Sequence, residues 1–265
     1  MIAEVNGINI NCKVTGSGEP LVLIHGHPFD HTMWYPQVVD FSDNYKVITP
    51  DLRGYGESSL PASGKTRFED YATDVLGLLD ILGVDRFHLS GLSMGGQIIM
   101  EIFRQAPSRI KSLIFADTFA SLDTPEVKQS RYDAANRLEK EGMDAYADEV
   151  IYKMIKPEHV KSMPEVAKHI IGMMKATSPI GAATALRARS ERIDYLADVF
   201  PQIKIPTLAI VGREDEFTPV DKAEEMKANL WDCELVVIED SGHMPNLEHP
   251  DEFNKVVLDF LEGNG

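Results

Sequence analysis

Short apolar runs alternate with longer stretches of helical periodicity along most of this chain. Leu21 to Ile24, Lys46 to Thr49, Phe87 to Leu89, Ser112 to Ala116, Thr207 to Val211 and Leu235 to Ile238 are compact and almost wholly apolar. Runs this short predict strands buried on both faces. Asp70 to Leu82 sets Val75, Leu78, Leu79 and Leu82 along one helical stripe, and Gly83 follows as a cap. The segments flanking Asn6-Gly7, from Met1 to Val14, read as a β-hairpin. About eight strands alternating with helices predict an α/β fold, a mostly parallel sheet with helices on both faces. Ligand sites in such sheets lie outside the carboxyl ends of the strands.

One region breaks the alternation. From Phe119 to Phe200 no strand pattern occurs, and amphipathic helices are expected instead at Glu126 to Glu141, Met143 to Met154, Glu158 to Met163, Glu165 to Ala176 and Ile180 to Arg189. Gly142, Pro157, Pro164 and Pro179 punctuate them. The expected division is a core of residues 1–118 and 201–265, with residues 119–200 as an inserted helical cap that shapes a pocket and excludes water.

Composition narrows the field. A chain of 265 residues, 43% hydrophobic and 26% charged, suits one globular α/β unit. Against 42 Asp and Glu stand 26 Lys and Arg, a net charge of −16. Such a surface repels phosphate backbones and anionic lipids, which argues against nucleic-acid and membrane partners. Anionic substrates are disfavoured at long range, although a local Arg could still capture a carboxylate. Cys12 and Cys233 suggest neither a disulfide framework nor a metal cluster, and each is expected to be buried and inert. The first residues lack a basic segment followed by an apolar one, and no apolar run approaches the roughly 20 residues of a membrane span. The expected location is cytoplasmic, as a monomer or homodimer.

The candidate chemistry sits at the ends of the apolar runs. Gly91-Leu92-Ser93-Met94-Gly95 joins a strand to a run that is helical, the context of a nucleophile elbow. Asp215, beyond the strand ending at Gly212, is placed to orient a histidine; Asp117, after the strand 112–116, is the rival acid. His243, on the loop after Leu235 to Ile238, is the candidate general base. The order Ser93, Asp215, His243 is that of one triad family and differs from the chymotrypsin and subtilisin orders. For the oxyanion, the candidate donors are the backbone N–H groups of Met94 and His27, since Pro28 has none. His25 and His249 read as structural, and Glu214 and Glu216 as solvated loop charges. Arg187, Arg189 and Arg192 fit either a substrate carboxylate or ion pairs. Trp34, Met143, Met154 and Met173 are the candidates for the substrate pocket; each also fits plain helix packing.

These segments, with His25-Gly26-His27-Pro28, Asp51-Leu52-Arg53-Gly54-Tyr55-Gly56-Glu57-Ser58 and Gly242-His243 through Pro250, resemble the α/β-hydrolase superfamily over nearly the whole length. Within it the chain looks like the carboxylesterase and 3-oxoadipate enol-lactone hydrolase branch. The resemblance implies a serine hydrolase that cleaves a small carboxylic ester through an acyl-enzyme, with no metal or organic cofactor. Ser93 argues against the branches that carry aspartate at the elbow. Other readings stay open: an enol-lactone-type lactonase, a carbon–carbon bond hydrolase, a cofactor-free perhydrolase, or a ligand sensor on the same scaffold.

Overall fold

The structure, a computed structural model, describes residues 1–264. Eight strands, β1 (Ile2–Val5), β2 (Ile8–Thr15), β3 (Glu19–Ile24), β4 (Tyr45–Pro50), β5 (Phe87–Leu92), β6 (Ile110–Ala116), β7 (Thr207–Gly212) and β8 (Cys233–Ile238), form one sheet. Their order is β1-β2-β4-β3-β5-β6-β7-β8. The hairpin β1–β2 and its junction to β4 are antiparallel, and every later pairing is parallel. Asn6 and Gly7 both take positive φ at the hairpin tip, as a two-residue turn that matches strand twist requires.

The period of two decides which side chain meets which layer. In β3, Val22 and Ile24 join one core cluster while Leu21 and Leu23 join the other. On the first face pack α2 (Phe68–Ile81) and α3 (Met94–Gln105), through Val75, Leu78, Leu79, Ile98, Ile99 and Ile102. On the second lie α1 (Tyr35–Phe41) and α12 (Pro250–Gly263), through Phe41, Phe253, Val257 and Leu261. Each such buried side chain contributes about 1.5 to 3 kcal/mol relative to exposure. The central strands β3 to β7 are therefore largely dry on both faces and carry little polar alternation, whereas β1 at the sheet edge alternates exposed and buried residues.

Between β6 and β7 the chain forms α4 (Pro125–Glu141), α5 (Asp144–Met154), α6 (His159–Ser162), α7 (Pro164–Ala176), α8 (Pro179–Ser190) and α9 (Tyr195–Asp198). The ends fall within a residue of the sequence expectation because the punctuation is chemical. Thr124 and Ser178 accept N–H groups of the first turns of α4 and α8, and Pro125, Pro164 and Pro179 occupy first helical positions. The one-turn α9, capped by Asp194, is too short to leave a periodic signal. Beyond β7 follow α10 (Val220–Asn229) and α11 (Pro245–Glu248). No described helix is long and apolar enough to cross a membrane.

An ion pair clamps the segment that leads into the site. Asp51 accepts the N–H and Nδ1 of His31, at 2.8 and 2.7 Å, the Asn11 amide at 2.8 Å and the Glu57 N–H at 3.0 Å. Burial alone would raise the Asp51 carboxyl, but these bonds outweigh it and hold it well below the usual range. Burial likewise opposes a charged His31, yet Asp51 raises it above its ordinary value. The Asp51 contribution is present above about pH 4 and is lost as pH falls through its depressed value. The His31 contribution is full below about pH 6.5 and is lost as pH rises through its raised value. His31→Gln is therefore expected to cost about 1 kcal/mol, a few degrees in Tm, near pH 6 and less near pH 9. Thermal melts giving the same loss at both pH values would refute the assignment.

Candidate active site

Ser93 stands between β5 and α3 with φ 57° and ψ −118°. A serine holds that conformation only where its surroundings over-determine it. Gly91 and Gly95 make the turn sterically feasible: a Cβ on Gly91 would lie 2.4 Å from the Gly95 carbonyl oxygen, and one on Gly95 would lie 2.3 Å from that of Ile24. The turn is tied down on both sides. The Ser93 N–H donates to the Ala116 carbonyl at 2.9 Å, and the Thr118 hydroxyl donates to the Ser93 carbonyl at 2.7 Å. The N–H groups of Met94 and His27 have no backbone acceptor among the described residues. The Met94 amide also opens the positive end of α3.

His243 and Asp215 meet from two further loops. His243 Nδ1 lies 2.7 Å from Asp215 Oδ2, so it donates to the carboxylate and leaves Nε2 as the ring nitrogen not engaged by it. Phe217 packs edge-on to the imidazole with ring centroids 5.0 Å apart. Asp215 also accepts the N–H groups of Phe217 and Thr218, at 2.8 and 3.1 Å, and the Thr218 hydroxyl. Burial would raise Asp215, but His243 and Thr218 outweigh it and the carboxyl lies below its ordinary value. The rival, Asp117, behaves in the opposite way. It is 1% exposed, and burial, with the neighbouring Asp215, pushes its carboxyl well above the ordinary value, which favours the neutral form.

A cavity of about 120 Å³ gathers these groups: Ser93, His243, His27, Thr218, Tyr146, Met154, Arg131, Arg189, Phe119, Leu186 and Phe217 border it. An outer cleft of about 490 Å³ shares Phe119, Arg131, Tyr146, Leu186 and Phe217 with this chamber and leads to the surface. Side chains of α4, α5 and α8 thus complete the walls of a chamber whose floor is the sheet end. Among the described residues no hydrogen bond joins Ser93 Oγ to His243. The His27 ring stands 2.7 Å from the Tyr55 hydroxyl through Nδ1, while its buried Nε2 has no partner. Burial, with Arg189 and Arg131 nearby, lowers His27 to about 3, so the ring is neutral.

Three of the four pocket candidates lie elsewhere. Trp34 is fully buried at the start of α1, its ring 6.2 Å from Phe253 of α12, and is an anchor between those helices. Met143 packs with Ala135, Leu138, Ala182 and Ala183 where α4 crosses α8. Met173 is buried in α7 beside a separate surface cleft with Asp30 and His169. Only Met154 borders the chamber. His25 is held by backbone, accepting the Leu52 N–H at 2.9 Å and donating to the Gly26 carbonyl at 2.8 Å. His249 Nε2 likewise meets the Asp240 carbonyl at 2.8 Å. Cys12 is buried and Cys233 half-buried, and burial pushes both thiols up to about 12, which keeps them unreactive. Glu216 is exposed, but Glu214 accepts the Ser241 N–H at 3.0 Å and so braces the histidine loop.

Glu248 braces that loop more strongly. Fully buried, it accepts the Gly242 N–H and Ser241 hydroxyl, at 2.7 and 3.0 Å, and from the helical insertion the Lys156 N–H and His159 Nδ1, at 2.9 and 2.7 Å. Nothing in the sequence separated it from an ordinary helix-end acid. Thr218 did carry a signal: a hydroxyl three residues after an aspartate is the spacing of a side-chain-closed turn. Glu248→Ala is expected to cost about 3 kcal/mol by stranding buried donors. It should lower kcat more than it raises KM, because His243 follows Gly242. Glu248→Gln, which keeps one acceptor, should lose less. Steady-state kinetics beside chemical denaturation would show this, and an alanine variant of unchanged stability would contradict it.

A family model described as alpha/beta hydrolase fold matches residues 19–250. The chain belongs to the α/β-hydrolase family. It is 32% identical over 255 residues to a protein named 3-oxoadipate enol-lactonase 2 of Acinetobacter baylyi, covering 94% of this chain and 92% of that one. Among solved structures it is similar to a thermophilic esterase from Thermogutta terrifontis with malate bound, at 34% identity and a TM-score of 0.94, covering 99% and 98% of the two chains. It is also similar to the enol-lactonase from Burkholderia xenovorans, at 30% identity and a TM-score of 0.91, covering 99% and 100%. This α/β hydrolase is thus related to esterases and lactonases along its whole length, and it is a hydrolase.

Proposed function

We propose that this α/β hydrolase cleaves a small carboxylic ester by two-step acyl transfer. Ser93 Oγ attacks the carbonyl carbon while His243 Nε2 takes the serine proton. Asp215, anionic and bonded to Nδ1, fixes the tautomer and stabilises the imidazolium. The Met94 and His27 N–H groups receive the oxyanion as the tetrahedral intermediate forms. The alcohol departs with the proton held by His243, and water activated by the same nitrogen hydrolyses the acyl-enzyme. The observation that carries the reading is a strained serine and a carboxylate-bound histidine bordering one chamber, with the Met94 and His27 amides free of backbone acceptors among the described residues.

A lactone is the second reading, favoured by the relatives named as enol-lactonases. Ring opening uses the same steps, with the alcohol remaining tethered to the acyl group. A ladder of p-nitrophenyl esters from short to long acyl chains, followed by a panel of lactones, tests both. Multiple turnover peaking at short chains supports the ester reading. A lactone preferred over every ester moves the assignment to the second reading, and one covalent event per molecule without turnover makes the chain a sensor and overturns both.

A further inference from the structure

A group of metal-ligating side chains stands outside the chamber, where the helical insertion meets the loop that carries His243. His159 comes from α6, Asp240 from that loop, and His249 from the junction of α11 and α12. One ring nitrogen of each histidine and one carboxylate oxygen of Asp240 lie within 4.8 Å of one another. His159 Nε2 is 3.5 Å from Asp240 Oδ2, and the two imidazole centroids are 5.8 Å apart. A tetrahedral zinc binds such donors at about 2.1 Å, which sets neighbouring donors about 3.3 Å apart and two ligating imidazole centroids about 5 Å apart. The Asp240 side chain is 63% exposed, so its rotation can close the difference.

The way His159 is held is an independent pointer. Its Nδ1 meets the buried Glu248 carboxylate at 2.7 Å. In the neutral imidazole that bond keeps the proton on Nδ1 and leaves the Nε2 lone pair free. A carboxylate behind a histidine in this way orients the ring and makes it a better metal donor. Glu248 is fixed in turn by the Gly242 and Lys156 N–H groups and the Ser241 hydroxyl. The second ring is held against the same loop, His249 Nε2 lying 2.8 Å from the Asp240 carbonyl. Two histidines and one carboxylate form the donor set of a zinc site with a position left for water, and imidazole favours zinc over magnesium or calcium. One charge opposes the ion. Lys156 Nζ pairs with Asp240 Oδ1 and lies 3.6 Å from Glu214, but it leaves Oδ2, the oxygen beside His159.

We propose that His159 Nε2, Asp240 Oδ2 and one ring nitrogen of His249 bind a zinc ion that straps the helical insertion to the His243 loop. The ion takes no part in acyl transfer, and the site stands whether or not the hydrolase reading does. Insertion and loop are already in close contact there: a Cβ on Gly242 would lie 3.1 Å from the Ile155 carbonyl carbon and from the Lys156 nitrogen. An ion shared between the two sides ties that contact, and it stabilises the folded chain because the unfolded one does not assemble the three donors.

Calorimetric titration of the chelator-treated full chain with zinc chloride tests it, beside thermal melts with and without zinc. The wild type should bind one zinc per chain, and zinc should raise its Tm by a few degrees. His249→Ala and Asp240→Asn should each weaken binding about tenfold or more and abolish the Tm shift. Glu248→Gln, which touches no ion, should weaken it about 10- to 100-fold through His159. Lys156→Met should act in the opposite direction and tighten binding several-fold, because it removes a cation from Asp240 without removing a donor. No zinc binding by the wild type overturns the site. So does binding that survives both His249→Ala and Asp240→Asn; if that binding also stops ester turnover, the ion sits on His243 and Asp215 instead. Should either of those two variants not fold, Lys156→Met decides, and an affinity equal to that of the wild type overturns the site.

Discussion

Ser93→Ala is expected to lower kcat on any ester the protein turns over by about 10⁴-fold or more, while the protein keeps its fold. The size of the effect follows from where the nucleophilic electrons come from. Alanine removes the only oxygen at the turn tip, and the remaining groups, two amides and an imidazole, can still bind and polarise a carbonyl. They then assist only direct attack by water, which accounts for a residual rate above the uncatalysed one. The fold should survive because the bonds that hold the turn use the backbone groups of Ser93 and not its hydroxyl: its N–H donates to the Ala116 carbonyl, and its carbonyl accepts the Thr118 hydroxyl. Alanine at φ 57° is no more strained than serine there. Circular dichroism and a thermal melt should match the wild type while turnover collapses. A variant with turnover near wild type would remove Ser93 from the mechanism altogether.

Much of this site could be read in the chain before its structure, and the reason is positional. In a parallel sheet the strand ends converge on one edge, so residues on the loops after β3, β5, β7 and β8 are brought together by topology alone. That is why Ser93, His243 and His27 border one cavity although up to 216 residues separate them. What stayed hidden is direction. Met143 and Met173 have the composition of a pocket wall, but which side of a helix faces the chamber depends on how α4, α7 and α8 cross. Arginine shows the same limit more sharply. Arg187 and Arg189 are two residues apart, about 200° around a helix, so they face opposite ways. Arg187 pairs with Glu139 at 2.6 Å in solvent, while Arg189 is turned inward with no acid to meet it. Sequence spacing separates the two faces but does not say which is the inner one.

The acid of the proposed triad provides the second large effect, and two aspartates must be told apart. Asp215→Asn is expected to lower kcat about 10⁴-fold near neutral pH. An amide in place of the carboxylate can offer an N–H to His243 Nδ1, which selects the tautomer with its proton on Nε2 and leaves no base for Ser93. The loss should be largely in kcat, because Asp215 does not border the chamber. Asp117→Asn should be mild, within about tenfold, for the opposite reason. Burial and the neighbouring Asp215 favour the neutral form of Asp117, and its Oδ1 accepts the Gly212 N–H at 2.9 Å, a bond that the asparagine oxygen keeps. Its amide N–H₂ then occupies the place of the acid proton. The two variants together ask which carboxylate is charged. A severe loss in Asp117→Asn with near-normal turnover in Asp215→Asn would transfer the role to the end of β6. The buried pair leaves room for one negative charge at this sheet edge, and the bond to His243 decides that Asp215 holds it.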